Sequence, residues 1–383
     1  MSSFFNFVKA FFSKFYYFAF LIGTLVLISL MVEFIPSIPR KINLFYKDVS
    51  GIARHEHVDN PKYGQVNWVN DYWFEQTNRL KNGWQPYVYW RQKPLNGRHI
   101  NIDNLGRRLT VQTVADDQNP LLVYMFGGST MWGWGVPDQH TIPSELAKIV
   151  KDHNVKIVNY GELGYVTTQE YLQLMVALRR GERPDLVVFY DGFNDSFVTT
   201  FGYGAGWPHN ETNRQKEFGL SLNSERWRAY TLAMKYAFRR SLKTAKRASE
   251  AFFGPQEAEA MSQEEVWDEA KDVISVYKFN MNLVRDLGKR YHFKSIFFIQ
   301  PILGVNPKEL PNRSEKADIF QASYSMAHEE FFEDNDVIFL DDILLSRPEY
   351  FLDICHLTQY GNQIIAKAIY ENLWDKISVN RRK

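Results

Sequence analysis

The chain has 383 residues, 45% of them hydrophobic and 23% charged, with a formal net charge of +1. That length admits one large domain or two small ones, and the near-zero charge offers no global field for nucleic acid, which is not expected as a partner. The single cysteine, Cys355, excludes an internal disulfide.

After a tail at 1–14, an uncharged run extends from Phe15 to Val32, and Phe34 and Ile35 lengthen it if Glu33 sits at the interface. About 18 apolar residues are near the lower limit for crossing a ~30 Å hydrocarbon core. Tyr16 and Tyr17 lie at one end, where interfacial aromatics belong. No small-x-small cleavage site follows, so residues 15–35 read as an uncleaved transmembrane anchor and not as a signal peptide. Lys9 and Lys14 precede the run, while Arg40, Lys41 and Lys47 follow it, so the count of positive charges does not favour an external domain. The shortness of the tail argues for the opposite orientation, with the N-terminus inside and the remainder outside, as at the periplasmic side of a bacterial inner membrane.

Residues 36–118 read as a linker followed by a β-rich elaboration carrying no recognisable chemistry. Pro86–Arg91 alternates loosely, as a strand does, and His99–Asp103 resembles another, ahead of a turn at Asn104-Leu105-Gly106. His55 and His57 suggest a metal pair but lack a third ligand, so neither a metal nor a cofactor is expected.

The main domain spans 119–378. Short apolar runs at Leu121–Phe126, Lys156–Asn159, Leu186–Tyr190, Ser295–Ile299 and Val337–Leu340 have the character of buried parallel strands. Helical patterns lie between and after them, at Ser144–Asp152, Thr168–Arg180, Val266–Lys289, Ile319–Phe332 and Thr358–Lys376. Alternation of this kind predicts an α/β fold, a parallel sheet with helices on both faces. An insertion at 197–263 breaks the pattern. Thr199–Asn213 reads as a loop, and Arg226–Phe252 as a helix with a basic face, which is either solvated or laid on anionic headgroups.

Four short blocks carry the chemistry. Gly127-Gly128-Ser129-Thr130 ends the first strand, where glycines permit a tight turn that exposes the Ser129 hydroxyl. By itself this block serves equally well as a ligand-binding turn. Asn159-Tyr160-Gly161-Glu162-Leu163-Gly164 follows the second strand and alone is an ordinary β-to-α turn. Gly192-Phe193-Asn194-Asp195 ends the third strand, and Asn194 offers a side-chain donor there. Asp353-Ile354-Cys355-His356 precedes the last helix. Together the blocks supply a nucleophile, three oxyanion donors, a general base and a carboxylate to orient it, the parts needed for acyl transfer through a serine ester. Cys355 beside His356 offers a rival nucleophile, but it reads better as a small buried residue.

The order and spacing of these blocks, with Leu357-Thr358-Gln359-Tyr360-Gly361 following, resemble the SGNH (GDSL-type) hydrolase superfamily over about Leu121 to Lys376. The first block has Gly128 where the GDS form has Asp. The resemblance implies a three-layer flavodoxin-like sheet of order 2-1-3-4-5. It further implies Ser129 as nucleophile, Asp353 and His356 as its partners, and Ser129, Gly164 and Asn194 as the oxyanion hole. The expected activity is hydrolysis of an acyl ester, with an O-acetyl group on a cell-envelope glycan as the leading substrate. Trp132, Trp134 and Trp207 flank the site in sequence and suit sugar stacking or packing equally. A lipid ester, an acyltransferase using the same acyl-enzyme, and a non-catalytic envelope-assembly protein are the alternatives.

Overall fold

The computed structural model describes residues 57–112, 119–222 and 261–378, together with Gly23, Thr24 and Leu27. Ala53–Thr212 and Met261–Lys383 group into one compact unit, while Met1–Ile52 and Asn213–Ala260 group into another. Gly23, Thr24 and Leu27 are helical. The rest of the expected anchor at 15–35 and the basic segment Arg226–Phe252 lie outside the described residues. Among the described residues no helix is long and apolar enough to cross a membrane.

The larger unit opens with helix α1 (Val69–Asn78) and two small antiparallel pairs, β1 (Asn82–Gln85) with β2 (Tyr89–Gln92) and β3 (Leu95–Asn96) with β4 (Asn101–Ile102). The strand expected over Pro86–Arg91 is a hairpin instead. Its turn falls on Pro86, Tyr87 and Val88, where proline has no N–H to offer a ladder, and both Tyr87 and Tyr89 take positive φ. Only Asn101–Ile102 of the expected His99–Asp103 strand pairs, and the turn after it is present.

The chain then alternates: β5 (Leu121–Gly127), α2 (Ser129–Trp132), α3 (Ile142–Ile149), β6 (Val155–Asn159), α4 (Thr167–Arg179), β7 (Leu186–Asp191) and α5 (Phe193–Phe197). Helix α6 (Glu211–Leu222) begins inside the stretch expected to be a loop. Next come α7 (Gln263–Tyr291), β8 (Lys294–Ile299), α8 (Ile319–Phe331), β9 (Val337–Phe339) and α9 (Gln359–Ser378). All five strands from β5 onward are parallel, in the order β6-β5-β7-β8-β9, which is the expected 2-1-3-4-5.

Local chemistry explains the helix starts. Thr141 caps α3 through Ser144 N–H, ahead of Pro143 in the first turn. Ser262 and Glu265 form a reciprocal capping box on α7. Asp318 accepts from Phe320 and Gln321 N–H at the start of α8.

Alternate strand residues serve the two faces. Val123, Met125, Val188, Ile296 and Phe298 meet α3 and α9 through Ile142, Leu146, Ile365 and Ile369. Tyr124, Phe126, Phe189 and Phe297 meet α4, α7 and α8 through Leu174, Met281 and Ala327. On that second face the rings of Tyr160, Phe126, Phe189 and Phe297 stack in a row across the sheet, with centroids 4.9, 5.1 and 5.3 Å apart. Each such contact adds roughly 0.5–1.5 kcal/mol beyond area burial.

Gln112 lies at the outer edge of β6. There the Gln112 side chain accepts from Ile157 N–H at 2.9 Å and donates to Ile157 C=O at 2.8 Å. A side-chain amide thus takes the position that a neighbouring strand's peptide would fill.

Candidate active site

Three loops at the carboxyl end of the sheet converge. The first strand runs straight into Gly127-Gly128 and then Ser129, the first residue of α2. Gly128 is required by close approach: a Cβ there would lie 2.1 Å from Asn194 Nδ2 and 3.5 Å from the Tyr165 carbonyl oxygen. The loops after β5, β6 and β7 therefore touch at one point. Gly164 has φ +72°, a conformation that side chains resist, and it presents its Cα toward the His209 ring.

The Ser129 hydroxyl lies 2.6 Å from His356 Nε2. His356 Nδ1 lies 2.7 Å from Asp353 Oδ2. Asp353 Oδ1 accepts two backbone N–H groups, from Cys355 at 2.9 Å and His356 at 2.8 Å. Its carboxylate is thus held in place by its own turn, and it holds the imidazole. Burial disfavours the Asp353 charge, yet the hydrogen bond and charge of His356 and the two N–H donors outweigh burial, bringing its pKa down to about 2. Asp353 is ionised at any pH where the serine can act.

Cys355 is buried, and its Sγ lies 3.6 Å from His356 Nδ1, the nitrogen already facing Asp353. Burial first, and the Asp353 charge second, push the thiol well above its ordinary value. A neutral thiol facing Nδ1 is poorly placed to act as a nucleophile, and the Ser129 hydroxyl occupies Nε2. Asp353, Cys355 and His356 are also a close set of metal-type donors among the described residues. The serine relay accounts for two of them.

Asn194 donates from Nδ2 to the Tyr165 carbonyl at 2.6 Å, which leaves the second amide hydrogen of Nδ2 for a substrate oxygen. The next residue fixes that turn. Asp195 accepts from Thr167 Oγ1 at 2.7 Å and from Thr167 N–H, at the first residue of α4. Asn280 of α7 donates to Thr167 and Thr168 hydroxyls behind it. Burial raises the pKa of Asp195 to about 6, against the Thr167 bonds that lower it. Burial likewise raises Glu170 and Asp191 well above the usual carboxylate range, with neighbouring carboxylates adding to it.

The structure thus brings Ser129, His356 and Asp353 into one relay, with Asn194 and the Tyr165 carbonyl, one residue after Gly164, close to Gly128. Among the described residues, no protein acceptor takes the Ser129 or Gly164 N–H. Such an arrangement can remove a hydroxyl proton, attack a carbonyl carbon and stabilise the oxygen that becomes negative.

Two expectations change. Trp132 is fully buried, with the Arg108 guanidinium 4.2 Å over its ring, so it packs and cannot stack on a sugar. The N-terminal elaboration, expected to carry no chemistry, reaches the site. Its Tyr63 hydroxyl donates to Gly135 C=O, its Tyr72 hydroxyl accepts from Gly135 N–H, and its Asn60 amide donates to Leu352 C=O, next to Asp353. Buried Arg108 donates to the Gly133 and Val136 carbonyls and pairs with Asp138. His57 stacks with Trp73 and meets Trp134 edge-on, while His55 lies outside the described residues.

No family model matches the sequence, and no curated protein matches it. Solved structures do. The chain is similar to a member of the lipolytic protein G-D-S-L family from Veillonella parvula, at 12% identity and TM-score 0.36, over 65% of this chain and 96% of that one. It is similar to a carbohydrate acetylesterase family member from Sinorhizobium meliloti, at 13% identity and TM-score 0.33, over 66% and 98%. It is also similar to a psychrotrophic esterase from a Pseudoalteromonas species, at 12% identity and TM-score 0.35, over 67% and 99%.

Proposed function

We propose that the protein is a serine esterase of SGNH type that works through an acyl-enzyme on Ser129. The observation that carries this reading is the relay from Ser129 Oγ through His356 to an ionised Asp353, at 2.6 and 2.7 Å. Ser129 Oγ attacks the ester carbonyl as its proton passes to His356 Nε2. The Ser129 and Gly164 N–H groups and the second Asn194 N–H receive the carbonyl oxygen. The acyl–alkoxy bond breaks, and the proton on His356 leaves with the alcohol. Water, deprotonated by the same imidazole, then releases the acid.

The substrate proposed is an O-acyl group, O-acetyl foremost, on a cell-envelope glycan. Support comes from the half-exposed Trp207, which shares a segment with His209, the residue against Gly164. Incubating the full-length protein with a fluorophosphonate probe and with an O-acetylated glycan tests both parts. Labelling of Ser129 with release of free acetate is expected. Absence of labelling sinks the serine reading. Labelling with acetate moved onto an added glycan acceptor makes the same site a transferase.

The proposed place is a membrane, with the catalytic unit on the outer side, supported by the uncharged run Phe15–Val32. With reporters fused after Lys383, alkaline phosphatase should be active and green fluorescent protein dark. The reverse pair of results places the site in the cytoplasm and removes envelope glycans as substrates. A soluble, shortened product makes the run a signal peptide.

A further inference from the structure

The imidazole of His356 has an aromatic neighbour besides Ser129, Asp353 and Cys355. The indole of Trp134 lies with its ring centroid 4.3 Å from that of His356, at an interplanar angle of 38°. Trp134 is not free to leave. Its backbone N–H donates to Ser129 C=O, on the nucleophile's own turn. Its other sides meet Trp73, fully buried on α1, at 4.8 Å edge-on, and His57 at 5.1 Å. The loop on either side of it hangs from the N-terminal layer through Tyr63, Tyr72 and Arg108.

We propose that Trp134 is a positioning residue for His356, and that the N-terminal layer acts in catalysis by clamping this indole against the imidazole. The inference rests on the serine-esterase reading above. Its physical basis is timing. A ring face attracts a cation within about 6 Å of its centroid, and the attraction grows when water is excluded. Neutral imidazole gains little from it. Imidazolium, which forms during the reaction as Ser129 gives up its proton, gains in full, so the attraction favours the transition state over the ground state. Asp353 acts on the same cation from Nδ1, in the ring plane, and Trp134 acts on the ring itself.

Other titratable groups share this neighbourhood. Asp353 and Cys355 stand on the same loop, Ser129 comes from the nucleophile turn, and Tyr63 approaches Asp353 from the N-terminal layer. His57, on the other side of Trp134, is a second imidazole, so the test is run in a His57→Gln background as well as in the parent.

The test follows full-length protein in detergent, cleaving an aryl acetate across pH. Trp134→Leu should lower kcat by roughly 2–30-fold with KM within about twofold, as follows when a cation–π attraction is removed from the transition state alone. Removing the indole also takes that attraction away from the imidazolium. The acid limb of kcat should therefore move to lower pH by roughly 0.4–1.5 units while the plateau falls. Trp134→Phe, which keeps a ring face, should recover most of both. A purely structural tryptophan would lower the plateau without moving the limb, and that result overturns the inference. If Trp134→Leu does not fold, parental protein grown on fluorinated tryptophan keeps the ring shape and drains its face. Its acid limb should move the same way, and should not move in Trp134→Phe; an unmoved limb in the parent again overturns the inference. Fluorophosphonate labelling of the parent is done first. Missing label brings down the esterase reading and this inference with it, whereas labelling with an unmoved limb brings down the inference alone.

Discussion

Ser129→Ala should reduce turnover of an aryl acetate by at least ~10⁴-fold with the fold intact. The hydroxyl is the atom that His356 Nε2 faces at 2.6 Å, placed to give up its proton to that nitrogen as it attacks. Alanine fits the position without strain, because Ser129 begins a short helix and its side chain bonds to His356 alone. Cys355→Ala is the control. The buried thiol is neutral and faces Nδ1, so its removal should leave turnover within a few-fold of the parent. Near-parental activity in Ser129→Ala together with a dead Cys355→Ala would reverse the assignment of nucleophile.

Asp353→Asn should cost about 10⁴-fold in turnover while hardly moving a backbone atom. Asparagine can keep its Oδ1 on the N–H groups of Cys355 and His356, the two bonds that shape the turn. Its Nδ2 then presents hydrogens to His356 Nδ1. The imidazole answers by carrying its own proton on Nε2, so a donor faces Ser129 where a base is needed. The tautomer is wrong although the geometry is right. An acid-stability difference should accompany this. The parental carboxylate has its folded pKa depressed to about 2, so its contribution is present above the unfolded carboxylate range and is lost as the pH falls toward 2. In Asp353→Asn that part of the acid dependence should vanish. Thermal unfolding of both proteins between about pH 2 and 7, beside the kinetics, checks the pair of effects; parental turnover in Asp353→Asn would remove this residue from the relay.

The sheet and the blocks are readable in the sequence for one reason. Parallel strands buried on both faces are continuous apolar runs, and each block after the first three strands of the large sheet stands where such a run stops near a glycine. Ser129 and Asn194 are legible on that ground, and the Asp353–His356 turn by its place ahead of the last helix. What is not legible lies in contacts distant along the chain. Nothing in Tyr63, Tyr72 or Trp73 as letters says that they brace Gly135 and Trp134. Trp132 and Trp134 look alike two residues apart, yet one is sealed under Arg108 and the other lies on His356. At Tyr87–Trp90 the alternation of Tyr, Val, Tyr and Trp points to a strand, and Pro86 before it is the signal that marks the hairpin turn. Asp195, in sequence only part of a block, is the anchor that holds the Asn194 turn to α4.

The clasp of Gln112 on Ile157 has a consequence for how this protein behaves in a crowd. An open sheet ends in two rows of backbone groups that any passing extended chain can join, the first step toward fibres and swapped oligomers. At β6 that row is interrupted in the middle by a side chain that satisfies both the N–H and the C=O of Ile157, and the neighbouring Lys156 projects a charge into solvent. At the opposite margin β9 is only three residues long, too short to template an addition. With β6 capped at Ile157 and β9 so short, the described five-stranded sheet offers a second copy little edge to join when the protein is concentrated.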